Sequence, residues 1–282
     1  MAMSTKKKSK IEVAFIYLFL LIMFIIIGYP LFWALMMSVN PGSNMLVTEL
    51  FPSNPTWEHY AWLFTSPNSD YLLWYKNSMY IAVVNSVGSV IITSLIAYAF
   101  SRYQFIGRKY GLYMFLLLQM FPALMGMVAL YILLNTIGLT DSLYGLMIIY
   151  LGGQIPFNAW LVKGYLDTIP KELDEAAKID GAGHLKIFWT IILPLAKPIL
   201  AVVALFNFMA PFMDFLLPRI VLTSPSNFTL ALGLYNFIND QFSTNFTRFA
   251  AGSILIAVPI ALVFLLLQRY LISGLTSGAT KG

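Results

Sequence analysis

Six long apolar stretches, at about 12–37, 79–100, 112–134, 143–163, 195–217 and 250–272, dominate this sequence and leave few ways to fold it. Each approaches or exceeds the roughly 20 apolar residues that cross a bilayer as a helix. Lipid offers no partner for backbone N–H and C=O groups, so a segment in it satisfies them internally and is helical. The whole chain agrees: 59% of its 282 residues are apolar and 10% are charged, against about 25% charged in soluble domains. A globule in water would expose adhesive patches on that composition. The expected fold class is therefore an all-α integral membrane protein, one membrane domain over 1–282, with six transmembrane helices.

The Lys and Arg residues orient it. With the N-terminus inside, the inner segments hold Lys6, Lys7, Lys8, Lys10, Arg102, Arg108, Lys109, Lys163, Lys171, Lys178, Lys186, Lys197, Arg269 and Lys281, and the outer ones only Lys76, Arg219 and Arg248. That asymmetry puts both termini in the cytoplasm. The apolar run Ile11 to Val39 is too long for a signal-peptide core and no small-residue cleavage site follows it, so it reads as an uncleaved first span. There is no basic stripe interleaved with stacking aromatics, which removes a nucleic-acid reading. With no cysteine and only His59 and His184, far apart in sequence, no disulfide framework or metal-ligand set is visible. The two histidines read as ordinary loop residues.

Polar groups inside spans are functional hypotheses. Lys163 sits at a helix end, where it can snorkel, and Asp214 lies close enough to Arg219 in sequence for an interfacial ion pair, ahead of a substrate contact. The scarcity of buried carboxylates argues against an ion-coupled secondary carrier. Asn85, Gln119, Gln154, Asn158 and Asn207 read individually as interhelical hydrogen-bonding groups; together they suit a path for an uncharged polar solute such as a sugar. The run Gly152 to Pro156 interrupts the fourth span as a hinge or a packing kink. Outside, segments 40–78 and 218–249 are long, and Trp57, Trp62 and Trp74 suit an interfacial belt.

The inner loop 164–194 is unlike the others. Thr168-Ile169-Pro170 is a helix-opening signature, and Glu172, Asp174 and Glu175 favour a helix N-terminus. Leu173, Ala176, Ala177 and Asp180 recur at helical spacing on one face. Gly181-Ala182-Gly183 stops that helix, and a second follows with Leu185, Phe188, Trp189 and Ile192 on one stripe. Interfacial anchoring is the plain reading of such a stretch. A helix–glycine–helix with a small-residue knob also has the shape of a plug for a partner's groove.

These residues carry a resemblance. Glu175-Ala176-Ala177, three residues, Gly181, nine residues, then Ile191-x-Leu193-Pro194 is similar to the coupling-loop signature of permease subunits of binding-protein-dependent ABC importers. From about residue 94 onward the chain resembles the smaller permease subunit of maltose/maltodextrin importers, in Tyr98 to Arg102, Gln119 to Ala123, Tyr150 to Gly153 and the tail Gly274 to Gly282. The resemblance implies a permease for maltodextrin-type oligosaccharides in the prokaryotic cell membrane. Its implied partners are a second permease subunit, two ATPase subunits and an extracytoplasmic sugar-binding protein. It implies ATPase coupling through Glu175, Ala176, Ala177, Asp180, Gly181, Leu185 and Pro194. It also implies binding-protein contact near the tip of the last outer loop at Asn239, Asp240, Gln241 and Phe242, and a tail, Thr280, Lys281 and Gly282, at the ATPase interface. The chain has no G-x-x-x-x-G-K-[ST] phosphate loop, so it is expected to be no enzyme and to hold no cofactor, with ATP and magnesium in the partner ATPase. The same kind of importer with another cargo is the near alternative, and a secondary carrier or channel the distant one.

Overall fold

The computed structural model describes residues 10–43, 51–239 and 244–279. Among them there are helices, turns and loops and no strand. The chain divides into two compact units, one of residues 1–66 with 237–255, the other of 67–236 with 256–282.

In the first unit, α1 (Lys10–Ser38) is apolar and exposed along nearly its whole length, becoming buried only at Met37, Ser38 and Val39. A short α2 (Glu58–Thr65) lies within segment 40–78. His59 is buried, not an open loop residue, because its Nε2 pairs with the Asn40 carbonyl at 2.7 Å. The start of the last helix, α13 (Phe246–Ala279), is fixed by Asn245, whose Oδ1 accepts the Arg248 N–H (2.9 Å) and the Thr247 hydroxyl (2.8 Å).

The second unit is built on α3 (Tyr71–Arg102), α6 (Leu143–Leu166) and α10 (Lys197–Met213). Its centre mixes apolar and polar groups. Ser89, fully buried, donates to Asn207 Oδ1 at 2.9 Å, and Asn207 donates to the Val203 carbonyl at 2.8 Å. The first is the pairing expected of polar groups between helices in lipid; the second stays within α10. Trp74 is no belt residue: it is buried within α3, donating to the Pro225 carbonyl at 2.9 Å. A Cβ on Gly233 of α12 (Leu230–Asn239) would fall 2.1 Å from its ring, so only glycine fits there. Asn77 and Ser78 fasten the same loop, through Ser226 O, Phe228 O and the Leu230 N–H. Asp141, just ahead of α6, holds the loop from the other side by accepting the Thr223 and Ser224 N–H groups.

Four helices are long and apolar enough to cross a membrane, α1, α3, α6 and α13, and two further pairs qualify if each is one bent span. The expected straight third span is two helices, α4 (Gly111–Gln119) and α5 (Ala123–Thr136), bent by 102°. Pro122 sits at the break, where its missing N–H and fixed φ end one helix and start another. The expected fifth span, 195–217, is shorter: α10 stops at Met213 because Asp214 turns extended. Asp214 does not pair with Arg219; it accepts the Tyr150 hydroxyl at 2.9 Å. Conversely, the glycine–proline run of the fourth span does not break it, and α6 continues through Pro156. The proline leaves the Gly152 carbonyl without its helical donor, while Gln119 Nε2 donates to the adjacent Gly153 carbonyl at 2.8 Å.

Candidate functional site

The loop singled out by its sequence folds as a compact knob at the ends of α3 and α6. Its first helix is α7 (Glu172–Ile179). Pro170 lies ahead of the N-cap residue Lys171, two positions before the first helical residue, and Glu172, Asp174 and Glu175 fill the first turn where the dipole favours them. Gly181 ends the helix at φ +79°. Its N–H bonds the Lys178 carbonyl (3.0 Å) and the Ala182 N–H bonds the Ala177 carbonyl (2.9 Å), the two bonds of a Schellman cap. Nothing lies within 4 Å of where a Gly181 Cβ would be, so backbone conformation alone selects glycine there.

The second helix is shorter than its stripe suggests. α8 (His184–Ile187) passes into a π-helical turn, Phe188–Ile192, then α9 (Leu193–Leu195), and α10 starts after a 78° bend at Ala196. The π turn splits the stripe. Phe188 and Ile192 are buried with Ile187, whereas Leu185 and Trp189 are 71% and 53% exposed. The first helix divides likewise. Ala177 and Asp174 face inward, while Glu175, Ala176, Asp180 and Gly181 are exposed, together with Ile179 at 87%. Of the residues implied in ATPase coupling, Ala177 is therefore a packing residue; Glu175, Ala176, Asp180, Gly181, Leu185 and Pro194 lie on the outer surface.

The inward half of the knob shares one apolar cluster with the long helices: Ala177, Ile187, Phe188 and Ile192 with Ala97 and Tyr98 of α3, Val162 and Leu166 of α6, and Leu200 of α10. Tyr98 packs against Phe188 at 5.2 Å between centroids, the rings tilted by 50°.

Beside it stands a buried ionic brace. Arg102, the last residue of α3, reaches Asp174 of α7 through Nε at 2.8 Å, both side chains 7% exposed. Its remaining N–H groups bond the Leu166 carbonyl (3.2 Å), the Ile169 carbonyl (3.0 Å) and the Ser101 hydroxyl (3.0 Å). Ser101 donates to Asp167 at 2.7 Å, and Lys163 pairs with the same carboxylate at 2.6 Å. A planar guanidinium with five donors is suited to such a junction of three segments. Arg108 adds a cap, donating to the Phe100 and Ser101 carbonyls at 2.9 and 3.0 Å.

Sequence reasoning missed this brace. In the sequence Arg102 counts toward orientation and the Tyr98 to Arg102 resemblance, and Asp174 toward the helix dipole, with nothing that pairs them. A cation at the end of an apolar span and an acid 72 residues on carry no periodic signal that joins them.

The other sites implied by resemblance are only partly described. Asn239 ends α12; Asp240, Gln241 and Phe242 lie outside the described residues, as do Thr280, Lys281 and Gly282. In the first unit, the Arg248 guanidinium sits 3.9 Å over the Trp62 ring, and Trp62 packs edge-on against Phe237 at 5.8 Å. Among the described residues no cluster of metal-ligating side chains exists.

Apolar spans, and a knob packed against their ends, define a multi-span membrane component. Comparison with known proteins specifies the class. Residues 88–277 match the family described as "Binding-protein-dependent transport system inner membrane component". The galactooligosaccharides transport system permease protein of Bacillus subtilis is 46% identical over 98% of both chains. The maltodextrin transport system permease protein of the same organism is 47% identical over 94% of this chain and 95% of its own. The maltose/maltodextrin permease protein of Salmonella typhimurium is 37% identical over 100% of both. Among solved structures, a bacterial ABC transporter involved in alginate import matches in fold with a TM-score of 0.78 at 23% identity, covering 94% of this chain and 99% of that one.

The chain belongs to the binding-protein-dependent transport system inner membrane components, and it is a multi-pass membrane protein.

Proposed function

We propose that this chain is one permease subunit of an ATP-driven oligosaccharide importer and that the α7–Gly181–α8 knob is its coupling element. Relatives named for galactooligosaccharide and for maltodextrin transport, at nearly equal identity, support an oligosaccharide cargo of either kind. The partners are a second permease subunit, two ATPase subunits that hold ATP and magnesium, and an extracytoplasmic sugar-binding protein. The chain crosses the membrane six times as one domain with both termini in the cytoplasm; the fourteen-to-three division of Lys and Arg supports that orientation, with the bent α4–α5 pair as the third crossing and α10 as the fifth.

One observation carries the reading. The knob exposes Ile179, Leu185 and Trp189 around Glu175 and Gly181, while its other side is bolted to the span ends through Arg102–Asp174 and the shared core. An exposed apolar surface on a rigid mount suits a partner's groove. Closure of the ATPase pair on ATP pushes this mount, and the spans follow because both sites bias one packed body. The segment from Asn239 to Phe242 is assigned to the binding protein and Thr280 to Gly282 to the ATPase interface.

The test is reconstitution of the whole complex with binding proteins loaded from a panel of maltodextrins and galactooligosaccharides. The cargo that stimulates ATP hydrolysis names the substrate. Glu175→Gln and Gly181→Ala are expected to suppress that stimulation. Full stimulation in both variants overturns the coupling assignment, and transport by the chain alone on an ion gradient overturns the importer reading.

A further inference from the structure

Two apolar troughs flank the first turns of α10, where it lies beside the last third of α13. The larger, about 410 Å³, runs past Pro198, Val202, Phe206 and Leu271. The other, about 340 Å³, has Val90, Leu200, Ala204 and Leu267 as walls, with Lys197 and Tyr270 at one end. Both begin at one turn, residues 197–199, set there by the bend at Ala196. An apolar void between helices stays dry, and walls without neighbours lose dispersion contacts. An occupant with hydrocarbon chains restores them.

The smaller trough ends at a cation, and a second stands beside its Tyr270. Lys197 is exposed, and the Arg269 guanidinium lies 4.7 Å over the Tyr270 ring, donating to its hydroxyl at 2.8 Å. Neither cation is paired with a carboxylate among the described residues. α10 also begins with no side-chain cap on its free N–H groups, which adds to the positive potential. Two hydrocarbon-lined troughs that meet at residues 197–199, one of them ending at Lys197 and at the Tyr270 that Arg269 covers, match two acyl chains below a phosphate. A helix of a second permease subunit would fill a trough, but it would leave both cations without counter-charge unless it carried acids at their depth.

We propose that this turn is a binding site for an anionic diacyl phospholipid of the cytoplasmic leaflet, with its phosphate on Lys197 and Arg269 and its chains in the two troughs. The leaflet rests on the orientation given above. The lipid fills the gap between α10 and α13 beside the coupling knob, since Leu193 and Pro194 also line the smaller trough. Basic pockets between membrane helices recognise anionic headgroups in this way.

The test uses the assembled complex in nanodiscs of phosphatidylcholine and phosphatidylglycerol in equal amounts, with retained lipid read by native mass spectrometry after delipidating washes. The complex is expected to keep phosphatidylglycerol in preference to phosphatidylcholine. Lys197→Gln and Arg269→Gln should each lower that preference about fivefold, and Ala201→Phe, which narrows the smaller trough lined by Ala201, should lower total retained lipid. Equal retention of the two lipids by the native complex overturns the proposal, as does an unchanged preference in the double Gln variant. A cross-link from Leu267→Cys to the second permease subunit also overturns it. Sugar-stimulated hydrolysis is measured on the same samples. Its loss in the native complex counts against the importer reading, whereas intact hydrolysis without lipid preference counts against the lipid site alone.

Discussion

Arg102→Ala is the sharpest probe of the knob's mounting. The pair it breaks is 93% buried on each side, taking the 7% exposures of the two side chains. Removing one partner of such a pair leaves the other charge buried and uncompensated, at a cost of about 3–5 kcal/mol. The same substitution frees the Leu166 and Ile169 carbonyls, each bond contributing about 1 kcal/mol, though water reaching the emptied space offsets part of that. If the loss falls on local opening of α7 rather than on global unfolding, the amides that close it report it directly: Glu175 N–H on Lys171 and Ala182 N–H on Ala177.

Hydrogen exchange by mass spectrometry on the complex is the assay. A loss of about 3–5 kcal/mol accelerates exchange over 172–182 by roughly a hundred- to a few-thousand-fold. Arg102→Lys keeps the charge but not the fork and should fall between. Replacing both partners with apolar residues, Arg102→Met with Asp174→Leu, should restore most of the protection, because desolvating a pair often costs as much as the pair returns. Exchange over 172–182 within threefold of the native rate in Arg102→Ala would refute the brace as a mechanical mount.

Three other substitutions test separate features. Gly181→Ala forces a Cβ into a left-handed φ of +79° at about 1–2 kcal/mol; since no neighbour lies within 4 Å, Gly181→Asn should recover part of the loss in exchange protection of α7. Gly233→Ala places a Cβ 2.1 Å from Trp74, and a drop of several degrees in the thermal midpoint of the nanodisc complex is expected, partly relieved by adding Trp74→Leu. Burial pulls the Asp141 carboxyl upward, but hydrogen bonds from the Ser224 hydroxyl and N–H, the Thr223 N–H and Asn227 outweigh it and hold the pKa at about 2, below the ordinary 3.8. A folded value below the unfolded one means that the stability is complete above about pH 4 and lost as pH falls through about 2. Asp141→Asn should therefore flatten the thermal midpoint over that window and lower it at neutral pH.

The sequence made the membrane class, most helix locations and the glycine-centred knob legible, because these rest on runs of like residues or on a residue with unique backbone freedom. Chain breaks inside apolar runs were less legible. Pro122 and Pro156 are both prolines in apolar surroundings, yet one divides a span at 102° while α6 continues through the other. Propensity is equal at the two sites; what differs lies in packing partners such as Gln119 on the Gly153 carbonyl. Burial inside the knob was also hidden. The Leu185, Phe188, Trp189, Ile192 stripe assumes a constant 3.6-residue period, and the π turn at 188–192 changes that period where it divides buried from exposed members. Long-range polar pairs such as Ser89 with Asn207 and Arg102 with Asp174 have no local signature at all.

On the coupling reading, that division lets one short loop both dock and transmit. A docking surface alone could sit on a flexible tether, and force applied to it would be spent on bending the tether. Here Ala177, Ile187, Phe188 and Ile192 occupy the same core as residues of α3, α6 and α10, and close-packed cores move as units or switch between discrete arrangements rather than deform continuously. The π turn sets Leu185 and Trp189 outward while keeping Phe188 and Ile192 inward within nine residues. A regular helix would place Leu185, Phe188 and Ile192 on one side together. On the coupling reading, a single inserted-turn irregularity therefore converts what would be a surface anchor into a two-sided element. Restoring α-helical register by deleting Thr190 is expected to leave the complex assembled but to lower stimulated hydrolysis per ATPase bound; unchanged stimulation after that deletion would show that the outward pair is dispensable.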